Sequence, residues 1–370
     1  MELRSLVYGY FLLEINMMQQ LDVQVLPLRQ RWQAFMAQSP RARVRDAARD
    51  LGVSELELLV LQCGESHIRL EGDFADMLKE VATLGRVMAL TRNEYCVHER
   101  KGLYRNMTFR GGMGLALGEE IDLRLFMTQW AHAFAVEERT ADGFRRSLQF
   151  FDVYGDAVHK VHLMNASDVE VFKALVQRFR AQDQSDEVEV EARPGRVAEC
   201  ADEQIDLDGL LAGWNALKDV HDFHALLKTY GVSRTQALRL AGPARAWRVK
   251  NTAHADILLA ASETDLPIMV FVGNRGCVQI HRGSVHHVKR IEGWFNVLDP
   301  NFNLHLVEAG VAQTYVVRKP TVDGVITSLE LFDAEGLPIA TFFGDRHAGH
   351  AENPAWRAIV EALEPVDMPV

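Results

Sequence analysis

Two histidines three residues apart, His221 and His224, are the side chains of this 370-residue sequence best suited to hold a metal. They lie in Asp219-Val220-His221-Asp222-Phe223-His224-Ala225-Leu226-Leu227-Lys228-Thr229-Tyr230-Gly231, which reads as a helix with Asp219 as its N-cap and Gly231 as its stop. Val220, Phe223, Leu227 and Tyr230 share one face at helical spacing and are expected in the core, with both histidines on a neighbouring face. A first-turn histidine sits at the positive end of the helix dipole, which disfavours imidazolium, and a metal ligand must be the uncharged imidazole. The same residues also fit two surface histidines on a capped helix, so on their own they leave both readings open.

The elements that must position these side chains come from a duplication. Sliding Met88–Leu163 by 181 positions onto Met269–Gly344 gives 19 identities in 76 ungapped pairs, among them Asn93/Asn274, Cys96/Cys277, Gly102/Gly283, Ser147/Ser328 and Phe151/Phe332. Upstream, Gly52-Val53-Ser54 matches Gly231-Val232-Ser233 at an offset of 179. The chain is therefore read as a tandem repeat. Helical patterns over 41–60 and 219–240 precede β-rich segments punctuated by Gly and Asp-Gly, and an antiparallel order follows from that punctuation. The expected class is α+β, with two homologous halves, each a large antiparallel β-sheet meander with packed helices. Residues 1–29 are taken as an N-terminal extension, 30–180 as the first repeat, 181–208 as a linker and 209–370 as the second repeat. The linker carries ten Asp and Glu residues and Pro194-Gly195, as a solvated segment would.

The halves differ where chemistry is expected. His221 and His224 stand opposite Ala42 and Arg45, Arg234 opposite Glu55, and Arg318-Lys319 opposite Glu137-Glu138, so the second half has an anion-binding face that the first lacks. Arg124, between the leucines of Asp122-Leu123-Arg124-Leu125-Phe126, stands opposite His305; it is an ordinary outward strand residue unless that sheet face forms a pocket. A neutral histidine, several cations and an apolar sheet surface suit a flat, apolar, iron-bearing dianion, and haem has that character.

Bulk properties narrow the alternatives. A net charge of −11, with no long Lys/Arg run, argues against nucleic acid as a partner. Cys63, Cys96, Cys200 and Cys277 form no C-x-x-C pair and read as core thiols in a reducing compartment. The apolar run from Leu6 to Leu13 is short and is broken by Glu14, which predicts a cytoplasmic protein with a docking extension and no integral membrane segment. The histidines of His286-His287 and of the Asp345–His350 segment are expected in solvent, without a second metal.

Longer motifs carry a family resemblance. Val270-Phe271-Val272-Gly273-Asn274-Arg275-Gly276-Cys277-Val278-Gln279-Ile280, Arg318-Lys319-Pro320-Thr321, Thr327-Ser328-Leu329-Glu330-Leu331-Phe332 and Asp219-Val220-His221-Asp222-Phe223 resemble the HemS/ChuS/PhuS family, over about residues 30 to 363. These are bacterial cytoplasmic haem-binding proteins of haem-iron uptake, built from two homologous halves. The resemblance implies haem b (iron protoporphyrin IX) as ligand, with His221 on the iron and Arg124 across the haem, holding water or oxygen. It further implies that Arg234, Lys319 and Arg346 line the pocket or meet propionates, and that Phe343 occupies a place where some relatives have tyrosine. His224 replaces a phenylalanine typical of many members and offers a second iron ligand one turn away. Two activities are compatible with this. One is a carrier that passes haem to an acceptor such as a haem oxygenase, with an inner-membrane haem transporter as the other candidate partner. The other is a haem-degrading enzyme in which Arg124 is catalytic; no flavin or nicotinamide fingerprint is visible, so it would need an external electron donor.

Overall fold

The computed structural model describes residues 26–366 apart from 41, 142, 196, 197 and 348, so the Leu6–Leu13 run lies outside the described residues. The first half runs α1 (Leu28–Gln38), α2 (Val44–Leu51), α3 (Glu55–Val60), β1 (His67–Leu70), α4 (Phe74–Val81), β2 (Gly85–Arg92), β3 (Cys96–Gly102), β4 (Met107–Arg110), β5 (Met113–Leu117), β6 (Asp122–Phe126), β7 (His132–Thr140), β8 (Gly143–Phe151), β9 (Ala157–Ser167) and α5 (Val169–Phe179). The second runs α6 (Leu207–Asn215), α7 (Asp222–Tyr230), α8 (Arg234–Leu240), β10 (Ala246–Arg248), α9 (Ala253–Glu263), β11 (Ile268–Gly273), β12 (Cys277–Gly283), β13 (Val288–Ile291), β14 (Trp294–Leu298), β15 (Phe302–Val307), β16 (Gln313–Thr321), β17 (Gly324–Phe332), β18 (Pro338–Gly344) and α10 (Pro354–Glu361).

Local chemistry repeats where the sequence does. Both Gly52 and Gly231 end a helix at positive φ (69° and 63°), a conformation glycine adopts without steric cost. Ser54 and Ser233 then cap the next helix by accepting from the backbone N–H three residues on. The class is α+β with two large antiparallel sheets, as expected, each of nine strands, but the sheets do not coincide with the halves. One has the order β1-β7-β8-β9-β2-β3-β15-β14-β13 and the other β10-β16-β17-β18-β11-β12-β6-β5-β4. Each half thus supplies six strands to one sheet and lends a three-stranded ribbon to the other, through the pairings Leu304 with His98 and Val278 with Arg124. Alternation along a strand specifies which face is buried but not which strand lies alongside, so this exchange is a tertiary outcome.

The repeated asparagines join the two halves. Asn93 Nδ2 donates to the carbonyls of Gly273 and Ile339, and Asn274 Nδ2 donates to those of Arg92 and Val158. Each Oδ1 accepts two backbone N–H groups in its own turn, at Tyr95 and Cys96 or at Gly276 and Cys277. Asn274→Ala would leave two carbonyls and two amides without these partners and is expected to cost about 2–4 kcal/mol, read from the urea midpoint. An unchanged midpoint would rule this clamp out.

Cys96 and Cys277 are fully buried, and burial pushes the Cys277 thiol up to about 12, so it is an inert core thiol. Cys63 and Cys200 are only half-buried, against the expectation for all four. The acidic segment is also less detached than its composition suggests. Arg69 donates to the carbonyls of Ser185 and Glu187, and Val188 and Val190 pack on the cluster around Phe134 and Phe151. No helix among the described residues is long and apolar enough to cross a membrane.

Candidate functional site

Strand register places the candidate residues on one sheet face. Arg124 pairs with Val278, Val278 with Gly273, Met269 with Phe343, and Phe343 with Ser328, so these side chains share the face that carries Glu330 and Lys319. The opposite face holds Leu123, Leu125, Val270, Val272, Leu329 and Phe342, all buried in the core. Because β6 crosses into this sheet, Arg124 of the first half joins residues of the second. Met269, Phe271, Val278 and Phe343 on this face are only half-buried, and the ring of Phe343 meets that of Phe271 at 5.1 Å.

His221 lies in the turn that meets the β16–β17 hairpin of this sheet, but not as its sequence suggests. The helix starts at Asp222, three residues after Asp219, and His221 is its N-cap residue. Asp219 instead accepts the His221 backbone N–H at 2.8 Å and contacts the ring at Nδ1. These contacts, led by the backbone N–H, hold the Asp219 carboxyl below the usual carboxylate range. With Nδ1 donating to the carboxylate, Nε2 of the neutral ring carries the lone pair and is the nitrogen left open to a metal. The ring is 85% exposed. What orients it is therefore a carboxylate and not the first-turn dipole. His224 follows one turn later and is also exposed, whereas Phe223 and Leu227 are buried and Val220 and Tyr230 half-buried.

The hairpin between β16 and β17 reaches this turn: Val322 N–H donates to the Lys218 carbonyl, and Asp323 accepts from the Gly349 N–H at 3.0 Å. Arg346 lies 3.9 Å from Asp323, and its charge helps depress Asp219. Arg282 holds the same segment, through Asp345 at 2.7 Å and the Arg346 carbonyl. Across the sheet, Arg124 pairs with Asp122 and donates to the Leu123 carbonyl.

Arg234 and Lys319 share a partner, Glu330, that their places in the sequence do not reveal. Glu330, buried in β17, accepts from Arg234 Nε and Nη2 at 2.7 and 2.8 Å, from Lys319 Nζ at 2.7 Å and from Ser328 Oγ at 2.9 Å. Burial pushes the Glu330 carboxyl up, and the two cations outweigh it and hold it well below the usual range. Burial pushes the Lys319 ammonium down to about 8, against the pull of Glu330. With its side chain 3% exposed, Lys319 is committed to Glu330 and presents no open ammonium; Arg234, 30% exposed, keeps one edge outward. A lone acid between Leu329 and Leu331 is the same signal that singled out Arg124, and could have found Glu330.

The first half lacks this arrangement. Its counterparts of His221, Arg234, Lys319 and Glu330 are Ala42, Glu55, Glu138 and Gln149, and there Glu55 pairs with Lys160. His286 and His287 are exposed, their rings beside Asp265 and Asp299 respectively, and no cluster of three or more His, Cys, Asp or Glu residues with metal-binding geometry occurs among the described residues.

Comparison with known proteins matches this architecture twice over. The family model for the haemin-degrading HemS.ChuX domain matches residues 52–179 and again 231–363. The chain is 39% identical over 333 residues to the hemin transport protein HemS of Yersinia enterocolitica, covering 90% of this chain and 96% of that protein. Among solved structures it is similar to holo-PhuS, a heme-binding protein from Pseudomonas aeruginosa, at 49% identity and a TM-score of 0.89, covering 91% of this chain and 98% of the other. It is likewise similar to ChuS, an E. coli heme oxygenase, at 38% identity and a TM-score of 0.82, covering 91% and 99%.

Proposed function

This chain belongs to the haemin-degrading HemS/ChuX family, and we propose that it is an intracellular carrier that takes up haem b through His221 and passes it to an acceptor such as a haem oxygenase. The observation that carries this reading is the exposed His221 ring, with Nδ1 on Asp219 and Nε2 left as ligand atom, beside an apolar sheet face that also presents Arg124. Haem is the cargo. Met269, Phe271, Val278 and Phe343 supply apolar surface for its ring, Arg346 and the outward edge of Arg234 supply charge for its propionates, and Arg124, on the same sheet face, would hold water or oxygen across the haem from His221. His224, one turn from His221, gives the iron a second nitrogen on its way out, which suits stepwise hand-over. The site of action is the cytoplasm, and the donor an inner-membrane haem transporter.

Degradation is the second reading, favoured by the placement of Arg124 on the site face and by the similarity to ChuS. There Arg124 would donate to oxygen bound opposite His221, with electrons from an external donor. One experiment separates the two: load one equivalent of haem, add ascorbate with catalase present, and follow the Soret band and free iron. A stable Soret band that disappears only when a haem oxygenase is added supports the carrier; loss with iron release despite catalase supports the enzyme.

The Asp219 contact makes its own prediction. Asp219→Ala frees the His221 ring to rotate and to change tautomer, and losing such an outer carboxylate typically weakens metal binding by about 10–100-fold. Haem titration of the variant checks this; wild-type affinity would show that Asp219 does not act through the ring.

A further inference from the structure

We propose that Glu330 is a positioning residue for His221, acting through Arg234, Lys319 and the ring of Phe223 to fix the start of α7 on the sheet. The inference rests on the reading of His221 as the iron ligand. Glu330 is 1% exposed and takes four donor hydrogens from three side chains, two of them cations. Both cations then face one ring: Lys319 Nζ lies 4.7 Å from the centroid of Phe223 and Arg234 Cζ lies 5.2 Å from it. A desolvated ammonium or guanidinium over a phenyl face is attracted to it, and here the carboxylate beneath sets where both cations stand. Trp214 meets the same ring at 4.5 Å, so Phe223 is held by α6 as well as by the sheet.

Phe223 is two residues from His221, and its backbone N–H closes a turn onto Val220. Fixing this ring therefore limits where the cap residue can lie. Within the same chain the parts occur together or not at all: the first-half counterparts of Phe223, Arg234, Lys319, Glu330 and His221 are Val44, Glu55, Glu138, Gln149 and Ala42. A carboxylate that merely neutralised these two cations would not need an aromatic ring above them, and Ser328 Oγ further restricts its rotation.

The test removes the buried cation together with its partner, because Glu330→Gln alone would strand Lys319 uncompensated and is expected to unfold the domain. In Lys319→Met/Glu330→Gln, Arg234 can turn to solvent. Amide hydrogen exchange of the haem-free protein is followed over residues 219–223, with β17 as internal reference, and the visible and electron paramagnetic resonance spectra are recorded after one equivalent of haem. We expect exchange over 219–223 at least tenfold faster than wild type, an unchanged reference strand, and a ferric spectrum that becomes a mixture of two ligation states. Wild-type exchange, or faster exchange with an unaltered spectrum, overturns the proposal. Should the double variant not fold, Phe223→Leu leaves the charged trio intact and must give the same two changes, or the proposal fails. If wild-type protein does not bind haem, the carrier reading falls, and the exchange result alone decides whether Glu330 positions His221.

Discussion

On the proposed ligation of haem iron by His221, His221→Ala is expected to leave haem either weakly held or carried by His224, with affinity reduced by well over tenfold. The physical case is geometric. Among the two candidate histidines only His221 has its Nδ1 engaged by a carboxylate, which fixes both ring orientation and the nitrogen that carries the lone pair. It also sits in the turn tied to the β16–β17 hairpin and lies two residues from the buried Phe223. His224 lies on the exposed side of α7 and must pay the ordering cost of its own rotamer on binding. Loss of a directly bonded nitrogen should exceed the tenfold to hundredfold typical of losing an outer-shell partner. His224→Ala, in contrast, is expected to leave resting ligation intact and to slow transfer to an acceptor. Haem titrations and ferric spectra of the two variants check this, and reversed behaviour would transfer the ligand role to His224.

The second large effect is acid instability of the haem-free protein. Burial pushes His159 and His281 down to about 3 and His162 down to about 4, and it pushes His98 well below its ordinary range, with His281 beside it adding to the shift. All four are neutral in the folded protein, whereas an unfolded histidine takes its proton near pH 6.5. Between pH 6.5 and about 4 the unfolded state therefore binds more protons, and stability falls as pH falls, by about 1.4 kcal/mol per pH unit for each such group once it is below its unfolded value. Above pH 6.5 this contribution is constant.

One group works the other way. Burial pushes the Asp156 carboxyl up to about 6, so between pH 6 and 3.8 the folded state binds the extra proton and gains stability. Setting one such carboxyl against the three histidines with stated values leaves a net two protons, or about 3 kcal/mol per pH unit. Against a typical total of about 5–15 kcal/mol, cooperative unfolding is expected between pH 5 and 4. Urea midpoints at pH 7, 6 and 5 measure this slope, and a flat profile across that range would show that the buried histidines are protonated in the fold.

The His159 network also shows why such histidines matter to the architecture. Tyr104 bonds to Nε2 at 2.6 Å and Thr91 to Nδ1 at 2.9 Å, and Thr91 in turn meets Cys277 of the second half at 3.4 Å. Protonating His159 would leave the imidazolium with no anion in this contact set.

Much of the site was legible because its signals are local. The duplication, the α+β class and the Gly-to-Ser helix junctions follow from identities, strand periodicity and capping chemistry that act over a few residues. His221, His224 and Arg124 stand out by residue type at definite spacings, and Asn93/Asn274 by recurrence. What could not be read depends on partners far along the chain. The start of α7 was misplaced because Asp219 is a good capping residue by type, yet its carboxylate is taken by the His221 N–H and ring. Lys319 and Arg234 looked like free cations because Glu330 reaches Arg234 only through the fold, and Lys319 only through the β16–β17 pairing. Above all, the sequence by itself determined two repeats and which strand faces are buried, whereas tertiary structure alone decided that β6 leaves its own half. Alternation is an intrinsic property of a strand, but any antiparallel edge can satisfy another's hydrogen bonds, so only packing of the whole chain could bring Arg124 onto the sheet that His221 borders.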